Sequence, residues 1–561
     1  MLCASKGSLQ WDLNLFGCRS LETNTVNWTG PSVSFSLASP DRRDTHNYQA
    51  VQTTNWTSLI RTKKGDTAKT ARNSPLYPAK GFILFLNISL TSIKGSGGSE
   101  KLALSSFKSY ITRISAPYPW NFVGYVVLAM LIPKFYELSN TFWIGHISFQ
   151  ALAITEQYEF LAVTIEIVNE TIPFGILALV AQNYKNREKI ISILRAGLIF
   201  QVAFSIILTS TVILFTPQFV STIGTPAEIV SLTSTYLVLK SIALPFDAVA
   251  TLLLIAIKSM RKGREALYLV LISVVLNMIL DLFLISNTSI SLQMGIEGVA
   301  IGYVISKIAL ATISSLFTIK ILSLNWNSMI RPKWRDVVHP LFAVGGWTGL
   351  DSLVRNVGYI LVPLGVLNVI GANQFGGYGL AMAVMWTLII PILAITEGTN
   401  VVVGNYYGQR KYADLKKIVV TSLFLVSIAM LVIAIGGVFL WDDLSYFFNQ
   451  NPVMVQYSIA TFWWLMIPYC CFSLSMVLRS VFFGTGKTSY VFYVSCILNF
   501  GLIFPFWGLS RLGLITASFD NVMFLFVFVF IIDLIVTSVM VKRLLSHMKV
   551  APETESRQVP N

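Results

Sequence analysis

The chain has 561 residues, of which 54% are hydrophobic and only 12% charged, with a mean hydropathy of +0.66 and a formal net charge of +14. So apolar a composition over that length excludes an ordinary soluble protein and defines a polytopic membrane protein. The basic excess does not imply nucleic acid, because Lys and Arg fall in short clusters between apolar runs and no nucleic-acid motif is present; the lipid bilayer is the simpler partner.

Residues 1–115 are rich in Ser, Thr and Asn and lack sustained periodicity, which predicts a polar, disordered extension. Their only apolar piece, Gly81 to Leu90, is too short to span a bilayer and too far from the N-terminus for a signal peptide. The next methionine after Met1 is Met130, inside the first apolar segment, so a mis-called start is the alternative expectation.

From Trp120 onward, apolar segments of spanning length alternate with short polar turns. Twelve are expected, at roughly 119–144, 155–182, 189–215, 229–258, 265–287, 295–323, 338–368, 374–404, 412–441, 453–483, 488–509 and 517–543. The chain then divides into the extension 1–115, an N-terminal lobe 116–325, a linker 326–336, a C-terminal lobe 337–545 and a tail 546–561. Basic clusters follow the second (Lys185, Arg187, Lys189), fourth (Lys258, Arg261, Lys262, Arg264), sixth (Arg331, Lys333, Arg335), eighth (Arg410, Lys411, Lys416, Lys417), tenth (Arg479, Lys487) and twelfth (Lys542, Arg543) segments. The intervening loops carry almost none, so the positive-inside bias puts both termini in the cytoplasm and requires an even number of spans.

The chain also aligns with itself. ALPFDAVATLLLIAIKSMRKG and LMIPYCCFSLSMVLRSVFFGTG match with Pro245 on Pro468 and Gly263 on Gly486, and at the same offset Tyr184 meets Tyr407 and Arg187 meets Arg410. Two separated pieces in one register imply two six-helix halves of like orientation, related by a pseudo-two-fold along the membrane normal: an all-α polytopic fold. Of the five cysteines, none has CxxC or Cys/His metal spacing, and the four histidines are scattered, so neither a metal site nor a catalytic thiol is expected.

Several of these pieces resemble one family. Asn183-Tyr-x-x-Arg187 follows the second segment, Asn405-Tyr406-Tyr407-Gly408-Gln409-Arg410-Lys411 the eighth and Arg479-Ser-Val-Phe-Phe-Gly484-Thr-Gly486-Lys487 the tenth. Asn277-Met-Ile-Leu-Asp281 is followed by Met294-Gly295-Ile-Glu-Gly298. Together they are similar to the multidrug and toxic compound extrusion (MATE) transporters, over about residues 113–542. The resemblance implies two six-helix lobes that rock to expose a cleft to each side in turn, exporting organic, often cationic, small molecules in exchange for H+ or Na+. It implies a plasma-membrane protein acting as a monomer, without a cofactor.

Ionisable groups at membrane depth are costly and default to functional candidates. Asn277 and Asp281 share a face of the fifth helix, and the resemblance places the pair in the N-lobe cation site, a candidate Na+ or H+ acceptor. Where the family carries an aspartate on the first helix, this chain has Asn140, which removes one site carboxylate. Glu166 and Glu170, one turn apart on the second helix, offer a substitute, since two such carboxylates in a low-dielectric lobe would share a proton. The competing reading has them facing the opening between the lobes or pairing with Lys240. Lys240 itself needs a partner, which Asp247 or Asp281 could supply. Asp351 and Arg355 have the spacing of an ion pair on the seventh helix, while Glu397 and Trp386 on the eighth are cavity candidates.

No phosphate loop, nucleophile elbow or HExxH motif is present, so neither an enzyme nor an ATP-driven pump is expected and export has to draw on an ion gradient. The competing function is a lipid-linked oligosaccharide flippase of the same superfamily, a group that commonly adds two helices and lines its cavity with arginines.

Overall fold

The computed structural model describes residues 118–548 except 148, 223–224, 226–227, 287, 324–333 and 450, all within one unit, Leu86–Asn561. The expected extension, most of the linker and most of the tail lie outside the described residues.

The described residues form helices throughout. The first six are α1 (Trp120–Ile147), α2 (Phe149–Gln182), α3 (Arg187–Thr222), α4 in two segments (Val230–Ile242 and Leu244–Ser259), α5 (Gly263–Leu284) and α6 (Gly295–Leu322). The second set is α7 (Trp334–Tyr359, continued by π-helical turns over Ile360–Leu367), α8 (Ala372–Gly408), α9 (Tyr412–Phe448), α10 (Pro452–Thr485), α11 (Ser489–Leu498, a π-helical turn Asn499–Ile503, then Phe504–Arg511) and α12 (Phe519–His547). Ten described helices are by themselves long and apolar enough to cross a membrane, eleven if the two segments of α4 count as one span. α1 is not among them: at 28 residues it is long enough, but Lys134, Glu137 and Asn140 interrupt its apolar run.

The packing repeats as the sequence does. α1 packs on α5 and α7 on α11; α2 packs on α4 and α8 on α10; α3 packs on α4 and α9 on α10; α4 packs on α6 and α10 on α12. These are two six-helix lobes built to one plan. The aligned prolines behave differently, however. α4 breaks by 42° at Ala243, just before Pro245 at the start of its second segment, whereas α10 continues through Pro468. Proline removes a backbone donor and crowds the preceding turn, and membrane helices absorb this when neighbours cover the freed carbonyl.

Between the lobes, α2 lies against α7 and α1 against α8. The α2–α7 crossing is close because Gly345 faces the backbone carbonyl of Thr171, where no Cβ fits. At one end the lobes are sealed. Asn405 of α8 donates to the carbonyls of Ala181 (2.8 Å) and Ser259 (3.2 Å) and accepts from Arg261; Gln182 donates to the Gly484 carbonyl (3.0 Å) and Gln409 to the Tyr184 hydroxyl (3.0 Å). Gly408 abuts the Gln182 backbone with no room for a side chain. All these residues sit where α2, α4, α8 and α10 end, beside Lys185, Arg187, Lys262 and Arg410, so the seal lies at the basic-loop end.

Two of the residues read from sequence as loop charges are paired with acids across helices. Arg479 is buried in α10 and paired with Asp533 of α12 (2.6 Å), and Lys258, in the last turn of α4, pairs with Glu397 of α8. Both pairs keep a charge tolerable away from water, which a solvated loop would not require.

Candidate functional site

A cavity of about 450 Å³ lies between the lobes, within the usual range for small-molecule sites. Its wall combines Glu170, Asp351 and Glu397 with Lys258, Arg355 and Arg479, and its apolar part includes Met130, Phe174 and Phe483. Phe174 of α2 and Phe483 of α10 come from opposite lobes, their ring centroids 4.7 Å apart and tilted by 31°.

Arg355 organises one side. Its Nη2 donates to both carboxylate oxygens of Glu170 (3.1 and 3.0 Å), Glu166 approaches to 3.6 Å, and its Nη1 lies 3.6 Å from Asp351, which also accepts from Ser495. Asp351 is only 1% exposed, so this cluster holds it away from water. The expected Asp351/Arg355 pair is therefore present, but the stronger partner of Arg355 is Glu170 on the other lobe. Glu166 and Glu170 accordingly face the opening between the lobes and are taken up by Arg355 rather than Lys240. Glu397, which had no evident partner in sequence, is bound by Lys258 across the same interface.

The second candidate lies within the N-lobe. α1 packs along α5, and Tyr136 donates its hydroxyl to Asp281 Oδ2 at 2.7 Å. Asp281 is 8% exposed, and Asn277 sits one turn earlier on α5, half-buried. Asn140 follows Tyr136 by one turn on α1, and its Oδ1 is buried without a hydrogen-bond partner. A carboxylate with one hydroxyl donor and an unsatisfied amide oxygen on the neighbouring helix is a donor set that suits a small cation or a proton. Sequence reasoning missed Tyr136, although its place one turn from Asn140 was the available signal.

Lys240 pairs with neither proposed aspartate. Its ammonium lies over the rings of Tyr158 (3.6 Å), Tyr303 (5.2 Å) and Tyr236 (5.4 Å), contributed by α2, α6 and α4. Asp247 instead binds Lys307 of α6 at 2.5 Å. The π-faces of three tyrosines stabilise this half-buried cation electrostatically. Neither Lys240 nor Asp247 lines the cavity, and Trp386, 44% exposed and edge-on to Phe472, does not line it either.

The described residues thus form an all-α membrane fold of two repeated lobes around a charged, aromatic cavity, the architecture of a multi-pass transporter. The MatE family model matches residues 126–283 and 348–507, one stretch per lobe and together more than half the chain. The chain belongs to that family, the MATE transporters. Among solved structures, an outward-facing multidrug resistance MATE transporter of the MOP superfamily superposes with a TM-score of 0.69 at 16% identity, covering 78% of this chain and 96% of that one. A MOP superfamily transporter from Pyrococcus furiosus, described as having a binding pocket of reverse polarity, gives 0.69 at 15% identity over 78% and 96%. A Vibrio cholerae MATE transporter, VcmN, gives 0.69 at 14% identity over 78% and 98%. These likenesses are of fold. The curated Bacillus subtilis protein "Probable multidrug resistance protein YoeA" is 23% identical over 184 residues, 31% of this chain and only 39% of that protein's length.

Proposed function

We propose that the protein exports organic cations by antiport with H+ or Na+, the two lobes alternating access to the cavity between them. The observation that carries this reading is the 450 Å³ inter-lobe cavity, walled by carboxylates from both lobes and by the Phe174/Phe483 pair. Acidic groups beside aromatic faces attract a flat cation. Coupling is assigned to Asp281, with Tyr136, Asn277 and Asn140 completing its pocket; because Asn140 leaves only one carboxylate there, H+ is the favoured ion. The protein then works as a monomer in the plasma membrane with both termini cytoplasmic, which makes the sealed basic-loop end the cytoplasmic one.

A second reading, flipping of a lipid-linked oligosaccharide, is favoured by one feature: Lys258, Arg355 and Arg479 all line the cavity. Purified protein in liposomes separates the two. Ethidium accumulation driven by an imposed pH or Na+ gradient supports the antiporter; lipid scrambling without gradient-driven accumulation supports the flippase.

A further inference from the structure

Arg355 reaches across the lobe interface into a ring of three carboxylates, so the cluster carries more acid than base. Glu170 takes both hydrogen bonds from Nη2, Glu166 approaches the same nitrogen at 3.6 Å, and Asp351 lies 3.6 Å from Nη1 on Arg355's own helix. What the ring already holds is a planar guanidinium. One turn from Glu170 along α2, Phe174 meets Phe483 of the opposite lobe in a tilted pair, and both rings line the same cavity as Glu170. The carboxylate seat and the aromatic slot therefore lie side by side on one wall.

We propose that Glu170, with Glu166, is a seat for a planar amidinium or guanidinium carried on an aromatic body, and that Arg355 occupies the seat as a tethered competitor which such a substrate displaces. The proposal rests on the cavity being the substrate cavity. A flat cation with N–H donors reproduces the hydrogen bonds Glu170 already makes, whereas a quaternary ammonium supplies charge without donors and leaves carboxylate oxygens unsatisfied. Displacement does not strand the guanidinium, because Asp351, four residues earlier on α7, and Ser352 Oγ at 3.5 Å remain within reach. A bound substrate thereby replaces the Glu170–Arg355 bridge and frees α2 from α7 at that point.

The test is calorimetric binding of benzamidinium and of phenyltrimethylammonium to the purified full chain, with no ion gradient. The wild type is expected to prefer benzamidinium. Arg355→Gln is expected to bind benzamidinium about tenfold more tightly, because a competitor for the seat is gone. The double variant Glu170→Gln/Arg355→Gln leaves the net charge of the cluster unchanged and is expected to lose the preference. Equal binding of the two probes by the wild type, unchanged or weaker benzamidinium binding by Arg355→Gln, or a preference retained in the double variant would each overturn the proposal. Failure of the export reading shows separately, as absent gradient-driven ethidium uptake in liposomes.

Discussion

Asp281 was conspicuous in sequence because a carboxylate interrupts an otherwise apolar helix, and the structure gives it Tyr136 as its partner across α1. A tyrosine in an apolar segment reads as an interface anchor, so spacing alone did not single Tyr136 out. Tyr136→Phe removes a hydrogen bond to a charged group, an interaction of about 1.5 to 3 kcal/mol. The ion concentration for half-maximal uptake is therefore expected to shift by about tenfold or more, as measured by titrating the driving ion in liposomes. The glutamates of α2 call for a different outcome, since both meet Arg355 at the lobe interface. Glu166→Gln with Glu170→Gln is expected to alter substrate affinity while leaving the ion concentration for half-maximal rate in place. A shifted ion dependence in that variant would return these glutamates to the coupling site.

At the scale of helices, spans were legible because a bilayer admits few solutions: about twenty apolar residues, then a polar turn. Partners between helices were much less so. Sequence spacing identifies neighbours on one helix, as for Asp351 and Arg355, but the partners of Asp247, Glu397 and Glu170 are Lys307, Lys258 and Arg355, on helices 60 to 185 residues away. Arg479 was counted with Lys487 as a basic cluster after the tenth segment, yet it lies inside α10, buried against Asp533. Breaking that pair leaves a buried charge uncompensated. Asp533→Asn is expected to destabilise the protein by about 3 to 5 kcal/mol, whereas the apolar double variant Arg479→Met/Asp533→Leu recovers most of the loss, read as thermal unfolding in detergent.

At the scale of the whole molecule, the internal alignment of two stretches foretold a repeat that recurs in the packing, down to α4 on α6 and α10 on α12. The seal between lobes was not legible, because Asn405 and Gly408 stand out in sequence only as part of a family-like motif, with nothing to say what they contact. Their meaning comes from Gln182, Ala181 and Ser259 on the other lobe. Gly408→Ala places a methyl group against the Gln182 backbone, which cannot yield as a flexible side chain would. It is expected to shift the population toward conformers open at the basic-loop end, seen as a longer distance between spin labels at Lys185 and Lys487.

The central claim is that an ion gradient drives export through Asp281. Its most direct test is gradient-driven ethidium uptake into liposomes by the wild type and by Asp281→Asn, the variant being first shown to fold and insert like the wild type. Accumulation by the wild type and none above the protein-free background by Asp281→Asn is the expected result; wild-type rates retained by Asp281→Asn would contradict it.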